Sequence, residues 1–337
     1  VQLSKPMIQT GKPIRWGILA CGGIATKFAD DLVHAKNGYL SAVSSRDLGR
    51  AKAFAAQYGT EVKAYGSYEE MLASGEIDVV YIASPHGLHY EHTLLCLEAG
   101  VHVLCEKAFA INSKQVNAMI AKAREKKLFL MEALWTRFHP SIAQLQEIIA
   151  SGVIGDIKHV VADFGFKAEY DEEARWFNPH LTGGSLLDIG IYPLFISKLL
   201  LGQPLEMKAT GVMAPSGVDM NCSIATKYAS GATASLFSTF AAQTDTTCTV
   251  YGTLGKIYMH PRFHETKGMT LTIYDGEETV IETERKGWGY SYEADAVQED
   301  LWAGRTENAW MTHQFSQELM GLLDEIRNQI GLTYPNE

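Results

Sequence analysis

Lys107 closes the run 99–107, Ala-Gly-Val-His-Val-Leu-Cys-Glu-Lys, which reads as the end of a buried strand delivering Glu106 and Lys107 to the rim of a sheet. Partial burial penalises the charged form of an ammonium group, so a lysine there needs a reason. In an open parallel sheet the ligand crevice lies outside the carboxyl ends of the strands, which makes Lys107 a candidate for chemistry. A second group follows the glycine pair 183–184: Asp188 and Tyr192 stand four apart, on one face of a helix. A tyrosine hydroxyl ordinarily titrates near about 10 and serves as acid or base when a cation stabilises its anion. Lys107 would be that cation if two domains closed over a cleft. On spacing alone the plainer reading of this pair, a surface aspartate and a half-buried structural tyrosine, stands ahead.

The residues that would hold a cofactor come earlier. Ala20-Cys21-Gly22-Gly23-Ile24-Ala25 occupies the G-x-G-x-x-G/A position of a dinucleotide fold, between a strand and a helix, with Ala20 in place of the first glycine. A bare backbone at Gly22 lets a pyrophosphate approach the helix N-terminus. At the end of the next strand, where NAD enzymes keep an acid for the ribose 2′-hydroxyl, the chain has Ser44-Ser45-Arg46-Asp47. Arg46 offers the donor fork that suits a 2′-phosphate, and Arg50, one helical turn along, could join it. Asp47 is better explained as a helix cap. NADP is therefore expected ahead of NAD, the alternative being that Arg46 is a solvated loop charge.

These residues imply particular elements. Residues 14–20, 39–45, 78–83, 101–105 and 128–132 read as strands, alternating with helices over 25–35, 88–99 and after Asp47, Ser67 and Asn112, each of which has a capping side chain. Such alternation, with nearly continuous apolar strands, predicts a doubly wound parallel sheet covered on both faces. After Pro140 the pattern changes: a helix up to Gly152, a strand over 156–166, a helix over 184–201, then successive strands from 205 to 281, including 218–229, 232–242 and 246–259. A last helix carries Phe315, Leu319, Leu322, Leu323, Ile326 and Ile330 on one face. The expected organisation is an N-terminal arm (1–13), a dinucleotide-binding Rossmann domain (14–135) and an α+β substrate and dimerisation domain (136–337) built on a mainly antiparallel open sheet.

Composition narrows the class. With 337 residues, 46% hydrophobic and 20% charged, the chain has the profile of an ordinary soluble globular protein of two domains. A net charge of −10 argues against nucleic acid or an anionic membrane as partner. No uninterrupted apolar run approaches the roughly 20 residues of a membrane span, and residues 1–13 lack the apolar core of a signal peptide. The 5 cysteines, odd in number and without a C-x-x-C pair, fit reduced thiols and a cytoplasmic protein. His86, His89 and His92 are spaced by three, but no acidic or thiol ligand stands at matching spacing, and no metal is expected. Trp135, Phe138, Trp176 and Phe177 could wall an apolar pocket, although each taken singly is as well explained as core.

Taken together, the turn up to Ala25, Ser84-Pro85-His86-Gly87-Leu88-His89, the Glu106-Lys107 run and Asp188-x-x-x-Tyr192 resemble the glucose–fructose oxidoreductase / myo-inositol dehydrogenase family, over nearly the whole chain. The segment 128–138, with Trp135, Arg137 and Phe138, looks like the branch of dimeric dihydrodiol dehydrogenases and NADP-dependent D-xylose 1-dehydrogenases. The resemblance implies that Glu106-Lys107 is the family signature and that Lys107, Asp188 and Tyr192 are catalytic, many relatives having His at the last position. It implies cofactor contacts at Cys21, Gly22, Gly23, Ile24, Ser45, Arg46, Arg50, Ser84, Pro85, His86, His89, Glu106 and Lys107. It also implies a homodimer formed through the C-terminal sheet. Two departures are visible: Ala108 where the family usually has Pro, and His86 where it usually has Asn.

The function these features predict is hydride transfer between NADP and a hydroxyl or carbonyl carbon of a sugar, cyclic polyol or trans-dihydrodiol. Trp135, Phe138 and Trp176 would line the substrate pocket. Two alternatives stay open: a reductase of a non-sugar carbonyl or tetrapyrrole, and a cofactor-binding regulator without turnover. The regulator would be expected to lack Lys107 or the Asp188/Tyr192 pair, and this chain has all three.

Overall fold

The computed structural model describes residues 8, 10–335 and 337; most of the expected N-terminal arm, residues 1–7 and 9, lies outside the described residues. Two compact units are present, Val1–Phe138 with Lys286–Gln317, and His139–Arg285 with Glu318–Glu337.

The first unit alternates β1 (Ile14–Leu19), α1 (Gly23–Asp31), β2 (Gly38–Ser44), α2 (Leu48–Ala55), β3 (Lys63–Tyr65), α3 (Tyr68–Ala73), β4 (Val79–Ile82), α4 (His89–Glu98), β5 (His102–Glu106), α5 (Ser113–Lys126) and β6 (Leu130–Ala133). Its strands form one parallel sheet in the order β3-β2-β1-β4-β5-β6. The order reverses between β1 and β4, so the crevice at their carboxyl ends is the natural ligand site. β4 and β6 are buried throughout, as strands covered on both faces must be. The expected caps are in place: Asp47 accepts from Arg50 N at 2.6 Å, Ser67 from Glu70 N at 3.1 Å and Asn112 from Gln115 N at 3.0 Å. The helix expected over 25–35 ends sooner, giving way to a 3-10 turn at Leu32–His34.

The second unit contains α6 (Pro140–Ala150), β7 (Ile157–Gly165), a π-helical turn at Leu186–Gly190 continuing into α7 (Ile191–Leu201), and the strands β8 (Pro204–Met213), β9 (Asp219–Tyr228), β10 (Thr233–Thr239), β11 (Cys248–Gly252), β12 (Gly255–Met259), β13 (Gly268–Ile273) and β14 (Glu278–Glu282). The sheet runs β14-β13-β12-β11-β7-β10-β9-β8, antiparallel except where β7 meets β10. The single strand expected over 246–259 is instead the β11–β12 hairpin, with Cys248 opposite Met259. The buried positions change phase at its turn, from 248, 250 and 252 to 255, 257 and 259. One sheet face is packed by α7, whose Leu194, Phe195 and Ile196 are buried. On the other face lies the cross-strand row Tyr258, Thr249, Val161, Ser235, Ala225, in which Val161, Ser235 and Ala225 are exposed.

Two expectations need correction. Residues 286–317, placed by chain order in the second domain, pack with the first unit and include the unanticipated helix α8 (Ser291–Trp302). The buried Asp31 carboxylate anchors them, accepting the N–H groups of Trp288, Gly289 and Tyr290 at 2.8, 2.7 and 2.7 Å. The final helix, α9 (His313–Ile330), begins here: Ser316 Oγ donates to Glu132 at 2.7 Å. Secondly, Pro179–Leu201 is, by length and composition, long and apolar enough to cross a membrane, although its interruptions hid it from a search for unbroken apolar runs. Here 83% of its most apolar window is buried within the fold, which suits a core helix equally well.

Candidate active site

The first turn of the Rossmann unit is shaped as a phosphate cradle. Ala20 takes φ +75°, the left-handed conformation a glycine would adopt there at lower cost. Gly22 is the N-cap of α1 and supplies no capping side chain. A Cβ built on Gly22 or Gly23 would meet no atom within 4 Å. Packing therefore does not demand glycine at either position, and the first turn of α1, without a side-chain cap, begins beside open space, which fits a dinucleotide pyrophosphate. Ile24 follows in the first turn of α1, half-buried. Cys21 is also half-buried, its thiol 3.6 Å from Ser44 O, and burial pushes its pKa up to about 11. All five cysteines are free.

At the end of β2, Ser44 and Ser45 are buried while Arg46 and Arg50 are exposed. Two residues not expected among the cofactor contacts join them. His92 packs edge-on against Tyr68 at 4.9 Å and holds Ser84 Oγ through Nδ1 at 2.9 Å. Burial first, and the Arg46 charge second, lower His92 to about 4. The same arginine opposes the burial that raises Tyr68. Arg46 therefore sits beside Tyr68 and His92, walls suited to the adenosine end of a cofactor.

Ser84 and Pro85 leave β4, and His86 opens a 3-10 turn at His86–Leu88. His89 joins two strand exits, its ring nitrogens lying 2.8 Å from Ala108 O and 2.8 Å from Ser84 O. Burial lowers its pKa to about 4 against the pull of those two acceptors. Among the described residues, no group of three His, Cys, Asp or Glu is gathered to hold a metal ion.

Glu106 ends β5 with its carboxylate turned inward, only 3% exposed. Tyr81 OH donates to one oxygen, and the backbone N–H of Lys107 donates to the other at 3.1 Å. Lys107 is half-buried, and the Lys107–Ala108 peptide is cis. Two more buried acids share this neighbourhood. Glu132 accepts from Phe109 N and is raised to about 7, chiefly by burial. Glu293 of α8 is pushed well above the usual carboxylate range by burial, with Glu106 and Asp31 adding repulsion. Glu106, expected as a cofactor contact, is thus placed to hold the backbone at Lys107.

In the second unit, Asp188 lies inside the π-helical turn and Tyr192 in the first turn of α7. Such turns recur at functional sites because the extra residue re-aims a side chain. Arg175 Nη2 lies 2.9 Å from both Asp188 oxygens, with the carboxylate 9% and the arginine 53% exposed. The Tyr192 ring packs against Phe164 and His264, at 5.5 and 5.0 Å, and those two rings stack on each other at 4.5 Å. Arg175 and His264 were not anticipated: arginine carries no periodic signal, and His264 stands in a short turn at Phe263–Glu265 between strands. The aromatic residues divide. Trp135 stacks on Tyr290 at 4.6 Å and Phe138 on Trp310 at 6.1 Å, both buried in the first unit. Phe177 is core against Phe240, while Trp176 is half-buried beside Phe166.

Residues 14–134 match the oxidoreductase family with an NAD-binding Rossmann fold, and residues 142–258 match the GFO/IDH/MocA C-terminal domain. The chain belongs to this oxidoreductase family, as the sequence resemblance implied, and its first unit is an NAD(P)-binding Rossmann domain. It is 38% identical to the trans-1,2-dihydrobenzene-1,2-diol dehydrogenase of Sus scrofa, covering 96% of this chain and 99% of that one. It is 34% identical to the D-xylose 1-dehydrogenase (NADP(+)) of Hypocrea jecorina, covering 97% and 95%. Among solved structures, a 3-ketoreductase from Actinomadura kijaniata in complex with NADP and TDP-benzene superposes with a TM-score of 0.85, at 27% identity, over 95% of this chain and 98% of the other.

Proposed function

We propose that this oxidoreductase uses NADP to oxidise a ring or chain hydroxyl of a sugar, cyclic polyol or trans-dihydrodiol, or to run the reverse reduction, in the cytoplasm and as a homodimer. The observation that carries the reading is the exit of β5, where Tyr81 and Glu106 fix the backbone at Lys107 at the carboxyl end of an NAD(P)-binding sheet. The relatives named above act on substrates of this kind.

In the oxidative direction Tyr192 takes the hydroxyl proton, and Lys107 places positive charge where the alkoxide develops. Asp188, held by Arg175, orients the substrate hydroxyl. NADP, which the turn at Gly22 and Gly23 and the arginines at 46 and 50 would hold, would supply the hydride acceptor. The half-buried setting of Lys107 strengthens its field by limiting water. The test is a screen of NADP⁺ reduction against pentoses, hexoses, inositols and trans-dihydrodiols. Turnover with none of them, by protein that binds NADP, would remove this reading.

Preference for NADP is supported by Arg46 and Arg50 and by the lack of a carboxylate at Ser44 or Ser45. NADP(H) is expected to bind at least about tenfold more tightly than NAD(H). Arg46→Ala should weaken NADP by about 1.5–3 kcal/mol, the scale of a charged hydrogen bond, and spare NAD. Fluorescence titration with both cofactors decides this, and equal affinities in the unmutated protein count against it.

The homodimer is supported by the cross-strand row Tyr258, Thr249, Val161, Ser235, Ala225, in which Val161 is an exposed large hydrophobic, since exposed apolar surface on a sheet is a mark of an interface. Sedimentation at micromolar concentration should give a dimer, and Val161→Arg should shift it toward monomer. A monomeric parent protein overturns this part. The cytoplasmic assignment is supported by five free thiols, and the charge of −10 supports a small-molecule substrate rather than nucleic acid or anionic membrane.

A further inference from the structure

Asp219, the first residue of β9, is fully buried, yet what meets its carboxylate is a pair of hydrogen-bond donors from the turn that opens the π-helical segment. Oδ2 accepts from Ser185 Oγ at 2.7 Å and from Leu186 N at 2.7 Å. Oδ1 has no hydrogen-bond partner. It lies 2.2 Å from where a Cβ on Gly184 would stand, and Gly184 has φ +115°, so only glycine lets the carboxylate come this close. The same turn is gripped from two other sides. Ser185 Oγ lies 3.0 Å from Ser238 Oγ of β10, and Tyr334 OH donates to Gly183 O at 2.8 Å.

A buried carboxylate left with one unpartnered oxygen costs stability that an apolar residue of similar size would not. What it supplies is a cap. The first N–H groups of a helix lack internal partners, and here one is met from a strand distant in sequence. Asp188 follows two residues after Leu186, and Tyr192 one turn later. We propose that Asp219 is a positioning residue: by capping the turn at Ser185 and Leu186 it fixes the rotation at which the π-helical segment presents Asp188 and Tyr192. This rests on the catalytic reading of that pair given above. Burial also raises Asp219 to about 7 against the opposing hydrogen bonds. The titratable groups nearby are Cys222 on its own strand and Tyr334 from the C-terminal segment.

The test compares Asp219→Leu, which removes the acceptor, with Asp219→Asn, which keeps one, in the full-length protein. Three readouts are used: NADP titration, kcat, and hydrogen exchange of the peptide covering residues 183–190. Asp219→Leu should bind NADP within about twofold of the parent, lose kcat by about 30-fold or more and expose that peptide to exchange, the consequence of a small misplacement of reacting groups. Asp219→Asn should recover most of both losses. The double variant Asp219→Leu/Asp188→Asn should lose less than the product of the two single losses, because part of the Asp219 effect runs through Asp188 and only the part through Tyr192 remains. If Asp219→Leu does not fold, Ser185→Ala removes one of the two donors and should give smaller changes of the same kind. Unchanged protection of residues 183–190 in Asp219→Leu, or in Ser185→Ala where that variant stands in, overturns the proposal, as does a double variant whose losses multiply. Full activity in Asp188→Asn would instead refute the catalytic reading of Asp188, leaving the exchange result to decide the role of Asp219.

Discussion

Replacing Lys107 by Met should lower kcat by about 10²-fold or more while leaving NADP affinity within about twofold of the parent. Two contacts that set the backbone here survive the change, since Tyr81 OH and the Lys107 N–H still meet Glu106. The phosphate cradle at Gly22 and Gly23 and the arginines at 46 and 50 are likewise untouched, so binding should persist. What disappears is the ammonium charge. A purely structural lysine predicts another pattern, in which removing the positive charge from beside the buried Glu106 and Glu132 lowers stability and leaves turnover substantial. Thermal melts, cofactor titration and single-turnover rates on one preparation separate the two. A folded Lys107→Met protein that binds NADP and turns over within about threefold of the parent ends the mechanism proposed here.

The parts of the molecule legible in the sequence are those whose causes are local. Asp47, Ser67 and Asn112 announce their helices because a cap acts within three residues. The approach to Lys107 is legible because a strand buried on both faces is a nearly unbroken apolar run. Legibility fails where the cause is distant or the pattern is disguised. The buried side of α8 includes Glu293, Gln298 and Asp300, so its apolar stripe is broken by polar residues, and the segment before it is anchored by Asp31 from far up the chain. The hairpin at β11–β12 turns on Thr253 and Leu254, without the Asn-Gly or Asp-Gly signal that marks a tight reversal. Lys107 could be singled out by its type and its place at a strand's carboxyl end, whereas Asp188 and Tyr192 become catalytic candidates only through the family resemblance. Arg175, His264 and Asp219 could not be singled out, because their place depends on tertiary contacts that periodicity does not encode. The widened turn around Asp188 is invisible for the same reason: an extra residue per turn leaves a four-residue spacing in the sequence unchanged.

Tyr192→Phe is the second large effect expected, and it tests whether the tyrosine hydroxyl takes part in the reaction. The ring is 5% exposed and packed against Phe164 and His264, so phenylalanine keeps the contacts that hold it and removes only the hydroxyl. Stability should change by about 1 kcal/mol, the scale of one hydrogen bond. By contrast kcat should fall by about 10²-fold, because the proposed acceptor of the substrate proton is gone. The variant paired with Lys107→Met carries the sharper information. If the lysine and the tyrosine act on the same oxygen in the same step, removing the second after the first costs little, and the double variant loses far less than the product of the single losses. If each serves a separate step, or if one effect is only structural, the losses multiply. Rates for the two single variants and the double, measured at saturating NADP⁺ with the best substrate from the screen, distinguish these outcomes, and multiplying losses would show that Lys107 and Tyr192 do not form one catalytic unit.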